Sequence, residues 1–215
     1  VKFFLDTAKI EEIRRAKELG VLDGVTTNPS HVAATGKTFR QVVDEILTEL
    51  QEEPVSLEVV ATDKEGIVKE ARELARLAPN VVVKVPTIVE GVKAMKVLSQ
   101  EGVKINATLC FSSLQALLVA KAGATYVSPF VGRLDAIGHE GMGIVEEIRQ
   151  IYDNYDFSTE ILVAAVRHPQ HVLEAALIGA DVITLRLETL EQLFQHPLTD
   201  VGLERFLKDW QKVPQ

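Results

Sequence analysis

A chain of 215 residues, 47% hydrophobic and 25% charged, is long enough for one well-packed globular domain and too apolar for disorder. Its formal net charge of -8, from 31 acidic and 23 basic residues, excludes the basic footprint that nucleic acid or an anionic membrane requires, while leaving room for a locally positive pocket. The lone Cys110, set between Leu109 and Phe111, excludes an internal disulfide and a cysteine-based metal cluster and reads as a small buried hydrophobe.

The opening Val1-Lys2-Phe3-Phe4-Leu5-Asp6 has no basic stretch leading into a long apolar run and small-residue cleavage site. No window approaches the run of about 18 apolar residues that spans a membrane, so the expectation is a soluble, cytoplasmic protein.

Short apolar runs alternate with stretches of helical period from end to end. Val1 to Leu5 reads as a strand, followed by a helix over Ile10 to Leu19 with Glu11 and Glu12 in its first turn and Gly20 at its stop. Gly24 to Thr26 is the second strand, and Thr38 to Leu50 the next helix. Val55 to Val60 follows as a strand, then a helix capped by Thr62 or Asp63 and ended by Pro79-Asn80. The fourth strand is Val81 to Val85, with its helix over Glu90 to Ser99. The fifth is Val103 to Ala107, with Ser112 or Ser113 opening a helix to Ala122. Thr125 to Ser128 precedes a helix over Gly143 to Tyr152. Glu160 to Ala165 precedes one that starts at Pro169 and stops at Gly179. Asp181 to Leu185 and a short helix over Leu190 to Phe194 complete the series.

Eight strand-helix units predict a (β/α)8 TIM barrel, an α/β fold whose parallel strands are covered by the crossover helices. A doubly wound open sheet is the rival, but it needs a Gly-rich phosphate turn after the first strand, where Asp6-Thr7-Ala8 stands. Residues 1–215 read as a single barrel domain, with 198–211 as an extra C-terminal helix. That segment spaces Leu203, Phe206, Leu207 and Trp210 at helical intervals, so it either packs on its own barrel or on a neighbouring subunit.

Barrel chemistry is built at the carboxyl ends of the strands. Asp6, Thr26 with Asn28, Glu58, Lys84, Asn106 with Thr108, Ser128 and Arg167 fall there. Lys84 stands among valines in Val81-Val82-Val83-Lys84-Val85-Pro86, and a neutral barrel lysine attacks a carbonyl to give an iminium, an electron sink. Neighbours such as Val83 and Val85 are expected to desolvate it, against the opposing effect of nearby carboxylates. Asp6 and Glu58 are the candidate proton-transfer groups, with Thr108 positioning a water. An inert Lys84–Asp6 salt bridge is the alternative. Arg133, in the loop after the sixth strand, and Arg167, at the start of the seventh helix, are candidate anion ligands, or else ordinary surface ion pairs. His168 and His171, spaced i,i+3 beside Pro169, suit local hydrogen bonding and not a metal.

These residues resemble the short bacterial and archaeal transaldolases and the related fructose-6-phosphate aldolases. The match runs through Phe4-Leu5-Asp6-Thr7-Ala8, Gly24-Val25-Thr26-Thr27-Asn28-Pro29-Ser30, Val83-Lys84-Val85-Pro86, Ala124 to Arg133, Arg167-His168-Pro169 and His196-Pro197-Leu198-Thr199-Asp200. The resemblance implies a cofactor-free, metal-free transferase that moves a dihydroxyacetone unit between sugar phosphates, with Lys84 forming the Schiff base and Asp6 as acid/base. It implies Glu58 and Thr108 as holders of the catalytic water. Asn28, Asn106 and Ser128 would contact substrate beside Thr26, and Arg133 and Arg167 would take phosphate. It also implies a homo-oligomer, a decamer or pentamer, with the C-terminal helix exchanged between subunits. The family's aldolases carry Gln and Tyr where this chain has Glu58 and Phe130, so both positions resemble the transfer enzymes.

Departures from the family pattern cluster at the mouth. Ala165 replaces a serine before Val166-Arg167, His31 replaces an aliphatic residue after Asn28-Pro29-Ser30, Leu185-Arg186-Leu187 replaces a Met-Pro-Phe-like segment, and Lys9 replaces a common Asn. Together they read as a pocket altered by divergence or engineering, with Arg186 either recovering a phosphate contact or lining a new surface. Two rival functions follow: an aldolase or retro-aldolase of altered specificity, and a barrel that binds anionic metabolites without turnover.

Overall fold

The computed structural model describes residues 1–214. The first quarter of the chain holds β1 (Lys2–Asp6), α1 (Ile10–Glu18), β2 (Gly24–Thr26), α2 (Pro29–Ala34) and α3 (Phe39–Glu49). The next units are β3 (Val55–Glu58) with α4 (Lys64–Ala75), β4 (Val81–Pro86) with α5 (Val89–Gln100), and β5 (Ile105–Cys110) with α6 (Ser113–Ala122). Then come β6 (Tyr126–Pro129), α7 (Val131–Asp135), α8 (Gly141–Asn154), β7 (Glu160–Val163) and α9 (Pro169–Ile178). The chain closes with β8 (Val182–Leu185), α10 (Leu187–Gln192) and α11 (Pro197–Trp210).

All eight strands pair in parallel with their chain neighbours, and β8 pairs with β1, so the sheet is a closed barrel with helices outside it. The caps follow side-chain chemistry: the Asp63 carboxylate accepts the Gly66 N–H at 2.9 Å to start α4, and the Ser112 hydroxyl accepts that of Gln115 at 3.2 Å to start α6.

Period two along each strand sorts the side chains into two environments. Phe4, Val82, Tyr126, Leu162 and Val182, from strands that are not all neighbours, form one buried cluster, which is the filled interior of the barrel. Val81, Val83 and Val85 belong instead to the larger core between strands and helices. The expectation that Val83 and Val85 desolvate Lys84 is therefore corrected: they lie on the opposite face of β4, and Val82, two residues before Lys84, is the valine that shares its face.

Beyond shifts of a few residues at element ends, three further differences bear on the site and on the surface of the barrel. The helices α2 and α7 were not expected; at 6 and 5 residues they are too short to carry a readable period. Arg133 thus sits on a helix and not in a loop. The fifth strand starts and ends later than expected, carrying Thr108 within it, and its register shifts between Ala107 and Cys110, with Leu109 in the left-handed region at φ 57°. Finally, α11 has no buried residue, so packing on its own barrel is ruled out as its role.

Candidate active site

Two residues beyond four of the five interior side chains, the same strand face turns polar. Phe4 is followed by Asp6, Val82 by Lys84 and Tyr126 by Ser128, which raises a polar layer above the apolar floor at the carboxyl end of the barrel. A cavity of about 360 Å³ opens over that layer. Asp6, Thr26, Asn28, Glu58, Lys84, Asn106, Thr108 and Ser128 all line it, and so do Phe130, Arg133 and Arg167. The three departures with a place in the pocket, His31, Ala165 and Arg186, line it too. Every site residue expected from sequence is thus brought to one cavity.

Register pairs Glu58 with Lys84 and Lys84 with Asn106, so three polar groups stand side by side on β3, β4 and β5. Lys84 is 5% exposed, and its ammonium lies 3.0 Å from Glu58 Oε2 and donates to the Thr27 carbonyl at 2.8 Å. The carboxylate partner of Lys84 is therefore Glu58, and the inert pair with Asp6 does not form. Asn106 is fixed at both ends of its amide: Ser128 Oγ donates to its oxygen at 2.7 Å, and its nitrogen donates to Ser56 Oγ at 3.3 Å. The Thr108 hydroxyl differs from all of these. It is buried and has no hydrogen-bond partner among the described residues, on a residue that borders the cavity. Such an oxygen is a ready partner for a water or a substrate atom.

Across the cavity, Asp6 Oδ1 accepts from Thr26 Oγ1 at 3.1 Å and lies 3.5 Å from His31 Nδ1. Asn28 caps α2, its side-chain oxygen accepting the His31 N–H at 2.9 Å. Thr26 also shares a hydrogen bond with Thr184 on β8.

The third side of the cavity is positive. Arg133 follows β6, Arg167 follows β7 and Arg186 follows β8, and all three are exposed. Among the described residues none of them has a carboxylate partner, whereas of the other seven arginines all but Arg76 have one. The reading of Arg133 and Arg167 as ordinary surface ion pairs therefore fails. Arg133 stacks over the Phe130 ring, 5.0 Å from its centroid. Gly132 is required beside them, because a Cβ there would come within 2.2 Å of the Ala165 carbonyl and 2.6 Å of Arg167 Cγ. Ala165 itself sits in the left-handed region at φ 57°. With Leu109, it brings to this one cavity two of the three non-glycine positive-φ residues among the described residues, a concentration of strain typical of functional sites.

The chain matches the family described as Transaldolase/Fructose-6-phosphate aldolase over residues 3–215. It belongs to that family. It is an enzyme of the transaldolase type, acting through a Schiff base. A protein of Aquifex aeolicus (strain VF5) named "Probable transaldolase" is 62% identical over 215 residues, covering 100% of this chain and 99% of that protein. Proteins with the same name in Coprothermobacter proteolyticus and Geotalea uraniireducens (strain Rf4) are 62% and 60% identical, each over 100% of this chain and over 98% and 100% of their own lengths.

Sequence reasoning missed Ser56 and Thr184, which hold Asn106 and Thr26. Both could have been found, since Ser56 shares a strand face with Glu58 and Thr184 with Val182. It also missed Leu109, whose place in the cavity comes from the bulge in β5 and leaves no sequence signal.

Proposed function

We propose that this enzyme transfers a dihydroxyacetone unit from a ketose phosphate to an aldose phosphate, exchanging sedoheptulose 7-phosphate and glyceraldehyde 3-phosphate with erythrose 4-phosphate and fructose 6-phosphate. The observation that carries the reading is a buried amine 3.0 Å from a carboxylate, beside an unpartnered Thr108 hydroxyl, at the floor of a cavity rimmed by free arginines.

Lys84 passes its proton to Glu58, and its amine attacks the ketose carbonyl; loss of water from the carbinolamine leaves an iminium. Asp6 takes the proton from the hydroxyl on the fourth sugar carbon, the bond between the third and fourth carbons breaks, and its electron pair enters the iminium to give an enamine. The aldose phosphate departs. The enamine then attacks the aldehyde carbon of the acceptor, and Asp6 returns its proton to the new hydroxyl. Water held by Glu58 and Thr108 adds to the second iminium and releases the product from Lys84. Asn28, Asn106 and Ser128 bind the donor's hydroxyls beside Thr26. Arg133 and Arg167 take the phosphate, with Arg186 as a further cation on the same rim.

Altered aldol cleavage is the second reading, favoured by one observation: Ala165 offers no hydroxyl to the phosphate. Borohydride reduction in the presence of fructose 6-phosphate, read by mass spectrometry, tests both. The expected result is a Lys84 adduct with transfer to erythrose 4-phosphate, lost in Lys84→Ala. An adduct without transfer selects aldol cleavage, and parental transfer by Lys84→Ala overturns both.

The quaternary reading rests on α11, whose Leu198, Val201, Phe206 and Trp210 are each more than 60% exposed. A helix with that much apolar surface is expected to pack on another copy of the chain, in a ring of five or ten subunits.

A further inference from the structure

The two arginines assigned to phosphate lie on segments separated by more than thirty residues of chain, and beyond the backbone bridge of Phe130 with Ala164 a buried imidazole links those segments. His171, 5% exposed in the first turn of α9, places Nε2 at 2.9 Å from Asp135 Oδ2, two residues after Arg133 on α7. Its other nitrogen, Nδ1, accepts the backbone N–H of Arg167 at 3.3 Å. A ring that accepts at Nδ1 must carry its proton on Nε2, so the imidazole is neutral and donates to Asp135. Asp135 is fixed in turn, because its Oδ1 accepts the Gly141 N–H at 2.8 Å at the start of α8. Neither His171 nor Asp135 lines the cavity, and neither has a part in the proposed chemistry.

We propose that His171 is a positioning residue, clasping the Arg133 and Arg167 segments into one phosphate cradle that loosens when the imidazole is protonated. This rests on the assignment of those two arginines to substrate phosphate. Protonation would place a second N–H on Nδ1, facing the Arg167 N–H, so the bond that holds that segment would be replaced by an opposition of two donors. The groups facing the ring are His168, whose centroid is 3.9 Å away, Asp135 from α7 and Glu174 from its own helix. Burial and the neighbouring His168 push His171 below the ordinary histidine range, with Asp135 and Glu174 opposing. The clasp is therefore closed at neutral pH and opens only in acid.

The test uses the full chain and two substitutions, His171→Leu, which removes both bonds, and His171→Gln, which keeps one donor and one acceptor but does not titrate. Three quantities are measured: inhibition of transfer by inorganic phosphate, KM and kcat for erythrose 4-phosphate, and Lys84 trapping with dihydroxyacetone, which has no phosphate. For His171→Leu, phosphate inhibition and KM are expected to weaken about tenfold through misplacement of the arginines, with trapping unchanged. For His171→Gln, near-parental values are expected at neutral pH, and the loss of phosphate affinity towards about pH 5 should be smaller than in the parent. Comparing variants at equal pH cancels the titration of phosphate itself.

Parental phosphate inhibition in His171→Leu would overturn the proposal, as would trapping that falls in step with phosphate affinity, which marks a general structural defect. If His171→Leu does not fold, the acid limb of His171→Gln decides alone, and an unchanged limb refutes the clasp. Absence of any dihydroxyacetone adduct in the parent refutes the Schiff-base assignment instead, and the phosphate measurements still judge the clasp.

Discussion

Thr108→Val separates stability from catalysis at a single atom. The side chain is 1% exposed, and its hydroxyl has no partner among the described residues, whereas its carbonyl accepts from both the Thr87 N–H at 2.9 Å and the Thr87 hydroxyl at 2.8 Å. Valine has nearly the same shape and leaves those backbone bonds in place. A buried polar group without a partner costs about 1–3 kcal/mol, and a bound water recovers part of that, so removing the hydroxyl should leave stability unchanged or raise it by up to about that amount. For a chain of this length each kcal/mol moves Tm by about 2–4 °C. Catalysis should respond in the opposite sense: a water held by Glu58 alone is mispositioned, and a loss of about 10²-fold in kcat is expected. Calorimetry gives the first quantity and coupled release of glyceraldehyde 3-phosphate the second, with Thr108→Ser as the variant that retains the hydroxyl. A Tm lowered by several degrees would mean that the hydroxyl is bonded in the fold. Transfer within twofold of the parent would remove Thr108 from the mechanism.

Ala165→Ser should lower KM for erythrose 4-phosphate by about tenfold by adding a hydroxyl to the phosphate site, the lower end of what a hydrogen bond to a charged group contributes. Ala165→Gly should instead raise Tm, since glycine adopts the φ of 57° without strain, and an unchanged or lower Tm would show that this backbone is not strained. Burial pushes the Cys110 thiol up to about 11. Because the thiolate is the reactive form, Cys110 should resist a disulfide reagent at pH 8 and react at once in denaturant, and rapid labelling of native protein would contradict that burial. Phe206→Asp with Trp210→Asp should reduce the mass measured by light scattering to that of one chain, and an unchanged oligomer would exclude α11 from the interface.

The barrel and the membership of the cavity were legible for one reason. Parallel strands between helices announce themselves as short apolar runs, and a polar residue at the end of such a run has one place to go. What the sequence concealed follows from the same geometry. The short helices α2 and α7 complete too few turns to repeat a pattern, although α7 carries Arg133 and Asp135. Val83 and Val85 adjoin Lys84 in the chain, but adjacency in a strand means opposite faces. Contacts between segments distant in chain, such as His171 with Asp135, leave no local trace.

That last class of contact explains why the lysine and the arginines differ as sites. Lys84 is held from below by Val82 in the barrel interior and from the side by Glu58 on the neighbouring strand, so its position is fixed by the strand ladder that closes the fold. Arg133 and Arg167 lie beyond the last paired residues of β6 and β7, where the ladder has ended except for a bridge between Phe130 and Ala164. Past that bridge the arrangement depends on the missing Cβ of Gly132, the left-handed backbone of Ala165 and the imidazole of His171. Substitutions in this region should therefore alter which carbonyl compound the enzyme accepts while leaving the barrel and its reactive amine in place. Ala165 and Arg186, two of the residues that depart from the family pattern, both lie on this side of the cavity.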